Sequence, residues 1–184
     1  MKRPSYSEAI SKGIAAPTSL TVMVQAAMIA AIYVVLTYIA NAFGLANHVV
    51  QVRFSEALTI LPYFTPAAVP GLTIGCLLSN ILTGCALPDI IFGSIATLFG
   101  ALGTYALRRW KWCAPICPII SNMVIVPLVL IYGYGLLKEG SSVLQSFGYF
   151  CLTVGVGEVI SCGILGMALL LELEKYRDRI FGNS

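Results

Sequence analysis

Residues 20–43 form an apolar run that contains no charged side chain. At about 1.5 Å per residue, an α-helix of this length crosses a hydrocarbon core of about 30 Å. The composition agrees, because 58% of the 184 residues are hydrophobic and only 10% are charged, whereas a soluble domain carries about 25% charged residues. The sequence therefore predicts an all-α membrane protein.

Residues 49–87 admit two interpretations, because Pro62, Pro66 and Pro70 interrupt them. A single helix would have to accommodate all three prolines, each of which removes a backbone donor and disfavours helix just before it. Two helices that meet near Pro66 avoid most of this cost. The six predicted spans are then residues 20–43, 49–65, 66–87, 88–107, 115–135 and 147–171.

Three basic clusters give an independent test of this count. They lie in the N-terminal tail, between the fourth and fifth spans, and after the last span. With six spans all three fall on one side of the membrane, and the positive-inside rule makes that side cytoplasmic. We therefore expect both termini in the cytoplasm. The predicted parts are a tail at 1–17, one transmembrane domain at 18–171 and a tail at 172–184.

Several classes of activity find no support in the motifs. The sequence lacks a phosphate-binding GxxxxGK[ST] loop, an HExxH zinc motif and a GxSxG nucleophile motif, and it has one histidine. The six cysteines lie in apolar stretches, where they are typical of small packing residues. We therefore expect no enzymatic activity, no cofactor and no metal site. We also expect no nucleic-acid partner, since membrane orientation explains the basic clusters.

The first candidate site is the charged pair Arg53 and Glu56. Residues three apart on a helix share a face, so the two side chains either neutralise each other near the membrane surface or act together on a ligand. In the second case Glu56 faces a cavity open to the outside and binds a polar ligand, with Arg53 orienting the carboxylate. Gln51 adds a further donor and acceptor nearby.

Four polar residues lie in or beside later spans. Glu158 is well inside the last span, where a carboxyl costs at least a few kcal/mol and marks a functional site unless it is hydrogen-bonded as a structural group. Asn80 and Asn122 either join helices or contact a ligand. Asp89 follows Pro88, so it either caps the helix that starts there or contributes to the site.

The first span carries small residues four apart, in two pairs: Ala26 with Ala30, and Ala27 with Ala31. Such spacing lets another helix approach closely. The approaching helix belongs either to this chain or to a separate membrane subunit.

Four segments together resemble the QueT family: QVRFSEALTILPYFTPAAVPGL, PDIIFGSIATLFGA, SNMVIV and VGVGE. This family comprises substrate-binding components, or S components, of energy-coupling factor transporters for queuosine precursors. The resemblance covers residues from about 26 to 170. It implies a six-helix S-component fold in the plasma membrane. It also implies a transmembrane coupling protein and two cytoplasmic ATPases as partners, which accounts for the missing phosphate-binding loop.

The substrate implied by the resemblance is a deazaguanine base. Glu56 and Glu158 would accept its N–H donors or the cation of an aminomethyl group, with Asp89 as a substitute. Tyr63, Phe64 or Phe54 would stack on the base. Ala27 and Ala31 would form the surface for the coupling protein. Three alternatives stay open: an S component for another vitamin, a secondary transporter in which Glu158 carries a coupling proton, and a small intramembrane enzyme.

Overall fold

The computed structural model describes residues 19–44, 52–137 and 140–180 of the chain. This part is helical and contains no strand, which confirms the all-α prediction. The N-terminal tail, His48 and Lys138 lie outside the described residues. In chain order the elements are α1 Ser19–Ala42, a 3₁₀ helix Phe54–Tyr63, α2 Ala68–Leu82, α3 Asp89–Ala106, α4 Lys111–Gly133, α5 Val143–Lys175 and α6 Arg177–Ile180.

Four of these helices, α1, α3, α4 and α5, are long and apolar enough to cross a membrane. Helix α2 is also apolar but has only 15 residues, so it extends about 22 Å, less than the hydrocarbon thickness. Helix α5 runs from Val143 to Lys175 and so extends beyond both ends of the span predicted at 147–171. The structure thus has the helices that a membrane protein requires.

The described part of the stretch predicted as a helix at 49–65, residues 52–65, is not α-helical. It contains a 3₁₀ helix at Phe54–Tyr63, with Pro62 inside it. This winding rises about 2.0 Å per residue, so ten residues extend about 20 Å. Its residues 55–62 are all buried, because the segment packs against α1, α2, α3 and α5. Backbone that departs from the α-helix is tolerated at membrane depth when protein encloses it in this way.

The distribution of polar and apolar side chains is the reverse of that in a soluble domain. Large apolar residues are exposed on the outer surface, such as Leu20 at 70% and Met28 at 59% exposure. Hydroxyl side chains lie in the interior, where Ser55, Thr59 and Thr104 are fully buried. Soluble proteins rarely expose apolar surface on this scale, so the outer surface suits lipid and supports a membrane location.

Helices α1 and α2 meet through small residues. A Cβ added to Gly75 would lie 2.8 Å from the Cβ of Tyr33 and 3.1 Å from the Cα of Ala30, and one added to Gly71 would lie 2.8 Å from the carbonyl oxygen of Ala26. The two helices can approach this closely only because both positions are glycine.

This contact separates the four alanines of α1 into two pairs. Ala26 and Ala30 face α2 within the chain. Ala27 and Ala31 lie about 100° further around the helix, since successive residues turn by that angle, and they are exposed. Only the second pair is therefore available to a separate subunit.

One end of the bundle collects the basic residues and is called the basic end. Lys111 at the start of α4 forms a 3.3 Å salt bridge with Glu174 near the end of α5, and the Tyr63 hydroxyl donates to Glu174 at 3.4 Å. The start of α1 lies at this end too, since Gln25 accepts a 3.1 Å hydrogen bond from Thr65. The basic residues at or near this end are Arg108, Arg109, Lys111, Lys175, Arg177 and Arg179.

The opposite end of the bundle joins the remaining helix termini. The Tyr38 hydroxyl, near the end of α1, donates to the carbonyl oxygen of Leu82 at 3.0 Å. The hydroxyl of Tyr134, just after α4, donates to the carboxylate of Asp89 at the start of α3. Successive long elements therefore run in alternating directions between the two ends.

Candidate functional site

A cavity of about 250 Å³ lies between the 3₁₀ helix, α2, α3, α4 and α5. It extends inward from Asp89 at the end opposite the basic end to Glu158 in the middle of α5. None of its lining residues comes from α1. The lining residues are Arg53, Glu56, Cys76, Asp89, Gly93, Thr97, Asn122, Val126, Leu130, Tyr149, Phe150, Thr153, Val154 and Glu158.

Glu56 is the polar group in the cavity wall whose hydrogen bonding is incomplete. The 3₁₀ helix buries it to 2% exposure. The Tyr33 hydroxyl, reaching across from α1, donates to Glu56 Oε1 at 2.5 Å. Oε2 has no hydrogen-bond partner among the described residues. A buried carboxylate oxygen is a strong acceptor that is costly to leave unpaired, so Glu56 is suited to accept an N–H or O–H donor from a ligand.

Glu158 is buried as well, but the protein supplies donors to both of its oxygens. Asn122 Nδ2 donates to Oε1 at 2.9 Å, and Cys162 Sγ donates to Oε2 at 3.1 Å. The structure thus brings together Glu56, Asn122 and Glu158, which the sequence predicted separately. Glu158 retains acceptor capacity, because each carboxylate oxygen has two lone pairs.

The same region contains the atoms that could hold a metal ion. One carboxylate oxygen each from Glu56 and Glu158 and the sulfur of Cys162 lie within 4.8 Å of one another. A metal would require the Cys162 thiolate. In this structure Cys162 Sγ lies 3.1 Å from Glu158 Oε2 and 3.4 Å from the backbone oxygen of Glu56, and Glu56 Oε2 has no hydrogen-bond partner among the described residues.

Arg53 and Glu56 both line the cavity, but Arg53 precedes the 3₁₀ helix, so the two residues do not share a helix face as predicted. The Arg53 backbone is extended where it precedes the 3₁₀ helix, and its N–H donates to Ser161 Oγ on α5 at 3.1 Å. This bond fixes the start of the 3₁₀ helix against α5. Gln51, predicted as a neighbour of this pair, lies outside the described residues.

The wall contributed by α3 contains Asp89. Its carboxylate accepts a hydrogen bond from the Tyr134 hydroxyl. Asn80 does not line the cavity. Its Nδ2 donates to the backbone oxygen of Asp89 at 3.1 Å, so it supports the turn from which α3 begins.

The aromatic residues of the cavity differ from those expected to stack on a base. Phe64 is buried in the apolar core, Tyr63 lies at the basic end, and Phe54 does not line the cavity. The rings in the wall are Tyr149 and Phe150 on α5.

A periodic signal could have identified part of this wall. Phe150, Val154 and Glu158 recur every four residues, which places them on one face of a helix. Thr153 lies on the same face and also lines the cavity. Counting back from Glu158 in steps of four therefore identifies the face of α5 that lines the cavity. No comparable signal connects Tyr33 to Glu56, since they lie on different elements.

Local winding contributes to the site. π-Helical turns occur frequently at functional sites, since the extra residue in the turn changes where side chains point. The first such stretch here contains Asp89, the second contains Leu130 and the third directly follows Glu158, all of which line the cavity. These stretches are Asp89–Gly93, Val129–Gly133 and Val159–Gly166.

Comparison with known proteins identifies the family. The family model described as the QueT transporter matches residues 23–175, which is most of the chain. The chain belongs to the QueT transporter family. Every residue that lines the cavity falls inside the matched segment. Membership confirms the resemblance carried by the four sequence segments, and because the family consists of transporters, the chain is not an enzyme.

One curated relative carries a specific name. The queuosine precursor transporter QueT of Lactococcus lactis subsp. cremoris (strain MG1363) is 34% identical over 90 residues. The match covers 48% of this chain and 53% of that protein, so it spans about half of the relative's length. No solved structure gives a significant match.

Proposed function

We propose that the chain is the substrate-capture component of an energy-coupling factor importer and that its cavity binds a queuosine precursor with a deazaguanine base. The observation that carries this proposal is an oxygen of Glu56 in the cavity wall that has no hydrogen-bond partner among the described residues. The family and the name of the Lactococcus relative support the same substrate class.

The chemistry of the cavity fits such a base. A guanine-like edge presents adjacent N–H donors, and a carboxylate accepts from such a pair. Glu56 Oε2, which has no partner among the described residues, can receive one of them, and Glu158 offers further acceptor capacity nearby. Arg53 lines the same wall and can donate to the carbonyl oxygen of the base. The cation of an aminomethyl group would be stabilised by Glu158 or by Asp89.

The size and aromatic content of the cavity also fit. Ligand cavities commonly measure about 300–1,000 Å³, and this one, at about 250 Å³, suits a small molecule of base size. Tyr149 and Phe150 supply π-faces against which a planar ring can stack.

For the membrane arrangement we propose six crossings, with the basic end in the cytoplasm. The crossings are α1, the 3₁₀ helix, α2, α3, α4 and α5. The alternation of element directions supports this count, and the enclosure of the 3₁₀ helix removes the usual objection to a short span. The positive-inside rule then places both termini in the cytoplasm of a multi-pass plasma membrane protein.

The proposed partners are the transmembrane coupling protein and two cytoplasmic ATPases of the energy-coupling factor module. The chain has no phosphate-binding loop of its own, so ATP-driven transport requires a partner. Ala27 and Ala31 are exposed on α1, and small residues four apart allow a second helix to approach. We assign the contact with the coupling protein to this face.

The test is calorimetric titration of the purified full chain with an aminomethyl-deazaguanine. Wild-type protein should bind, and Glu56→Gln should weaken binding, because the amide keeps the size of the carboxyl but removes its charge and one acceptor. A charge-assisted hydrogen bond contributes about 1.5–3 kcal/mol and a mismatched donor adds a similar penalty. Affinity should then fall roughly ten- to a thousandfold. Glu158→Gln should reduce affinity for the same reason.

Glu174→Gln is the matched control. It makes the same chemical change at the basic end, outside the cavity, and should leave affinity unchanged. Absence of binding by wild-type protein, or equal binding by wild type and Glu56→Gln, would refute the proposed site. Selective binding of a different vitamin would retain the capture function and replace the substrate.

A proton-coupled secondary transporter is a second candidate. The buried hydrogen-bonded group of Glu158, Asn122 and Cys162 favours it, since buried carboxyls in membranes serve as proton carriers. Uptake by the chain alone in proteoliposomes with a pH gradient would support this candidate. Uptake only in the presence of the ATPase module would support the first.

A further inference from the structure

The interaction of Tyr33 with Glu56 has no role in the proposed binding scheme. Tyr33 belongs to α1, and no residue of α1 lines the cavity. Its hydroxyl nevertheless reaches the carboxylate in the cavity wall and donates to Oε1. The other oxygen of the same carboxylate is the one without a partner among the described residues.

We propose that Tyr33 is a positioning residue for ligand binding: it holds Oε1 of Glu56 so that Oε2 is presented to the ligand. This inference rests on the proposed function of the cavity. It gives α1 control over the affinity of a site that α1 does not line.

The position of Tyr33 is itself closely fixed. The side chain is 1% exposed, and its Cβ lies against Gly75 of α2 so closely that a methyl group there would approach it to 2.8 Å. One turn further along α1, Thr37 Oγ1 donates to the backbone oxygen of Tyr33 at 2.9 Å and lies 2.9 Å from Ser55 Oγ. The hydroxyl therefore approaches Glu56 from a fixed direction.

The Tyr33 hydroxyl restricts the rotation of the Glu56 carboxylate. With one oxygen held, the carboxylate cannot rotate freely, and it presents its second oxygen at a fixed place. Without the hydroxyl, Oε1 loses this donor, which favours rotation of the carboxylate toward another donor or uptake of a proton. In either case the acceptor that the ligand requires is lost for part of the time, and affinity falls by that fraction.

The location of α1 adds a consequence for transport. The same helix exposes Ala27 and Ala31 on a neighbouring face. Displacement of α1 by a docked partner would withdraw the hydroxyl from Glu56 and weaken the hold on the ligand. Tyr33 is thus the side chain through which a change at the α1 surface reaches the cavity.

The test is titration of full-length Tyr33→Phe with an aminomethyl-deazaguanine and with its analogue lacking the exocyclic 2-amino group. The ring and its packing are kept, so only the hydroxyl is removed. Affinity for the complete base should fall about tenfold, which corresponds to presentation of Oε2 for about a tenth of the time. Affinity for the analogue should fall less than affinity for the complete base, because the analogue has one N–H donor fewer for Glu56 to accept.

Tyr38→Phe is the matched control, since Tyr38 lies on the same helix and its hydroxyl donates to Leu82 instead. This variant should bind as wild type does. In the double variant Tyr33→Phe with Glu56→Gln, the loss should be close to that of Glu56→Gln alone, because the hydroxyl acts through Glu56.

Three results would overturn the inference: unchanged affinity in Tyr33→Phe, equal losses for both ligands, or additive losses in the double variant. If wild-type protein binds neither ligand, the proposed function fails and this inference fails with it. If Tyr33→Phe does not fold, a 3,5-difluorotyrosine at position 33 keeps the ring and alters the acidity of the hydroxyl. It should then change affinity for the complete base at least twofold, and a smaller change would contradict the inference.

Discussion

Gly75→Ala tests the close contact between α1 and α2 that places Tyr33 beside Glu56. The added Cβ would lie 2.8 Å from the Tyr33 Cβ and 3.1 Å from both the Cα and the carbonyl oxygen of Ala30. Carbon atoms in good contact are about 3.5–4.0 Å apart. The atoms that would have to move are backbone and Cβ atoms, not the ends of flexible side chains, so the two helices themselves must separate.

Two effects of this substitution oppose each other. Alanine in a helix is favoured over glycine by about 0.5–1 kcal/mol, whereas adding a methyl group to a tightly packed contact typically costs about 1–3 kcal/mol. We expect the second effect to dominate at Gly75. At Gly148, also in a helix, an added Cβ meets no atom within 4 Å, so Gly148→Ala retains only the favourable effect and serves as the control.

The assay is unfolding of both variants in detergent, followed by heat or denaturant. Gly75→Ala should be less stable than Gly148→Ala by about 1–3 kcal/mol, which corresponds to roughly 2–12 °C in midpoint for a chain of this size. Ligand affinity should also fall in Gly75→Ala, because Tyr33 moves with α1. Equal midpoints for the two variants would refute the account of how α1 and α2 pack.

Two further predictions concern topology and assembly. In a cysteine-free background, a cysteine that replaces Trp110 at the basic end should be labelled only from the cytoplasm. A cysteine that replaces Leu136 at the opposite end should be labelled only from outside. External labelling at position 110 would contradict the six-crossing arrangement. Replacing both Ala27 and Ala31 with phenylalanine should abolish co-purification with the energy-coupling factor module and leave ligand affinity intact, whereas the same change at exposed Ile32 should have little effect. Co-purification of the double variant at the wild-type level would show that this face of α1 does not contact the module.

Much of the helical architecture could be predicted from the sequence. The uncharged run at 20–43 determines α1 almost to the residue, since no charged residue and no proline interrupts it. The start of α5 was placed too late, although a local signal was present. Ser142 and Gln145 form a capping box at the start of α5, a pattern of serine followed three residues later by glutamine that marks a helix N-terminus.

The 3₁₀ helix at Phe54–Tyr63 could not be predicted from local sequence. Its prolines showed that a regular α-helix was costly, but the alternative winding is stable because four other helices enclose it. That enclosure is a tertiary effect. The sequence therefore predicts a helix in this region, whereas the 3₁₀ winding depends on the fold.

The candidate site shows the same limit. Glu56 and Glu158 were each identified by the cost of a carboxyl in an apolar surrounding, a property of single residues. Their approach to within 4.8 Å and the partnership of Tyr33 with Glu56 depend on the packing of three elements distant in sequence. Polarity thus predicted the residues of the site, whereas their hydrogen bonding required the fold.

The central claim is that Glu56 Oε2 receives the ligand. The most direct measurement is an experimental structure of the full chain bound to an aminomethyl-deazaguanine. The account predicts the base in the cavity between the 3₁₀ helix and α5, with a ligand N–H donor about 2.7–3.2 Å from Glu56 Oε2 and Tyr33 still bound to Oε1. A ligand located outside this cavity, or one inside it that leaves Glu56 Oε2 unpaired, would contradict the account.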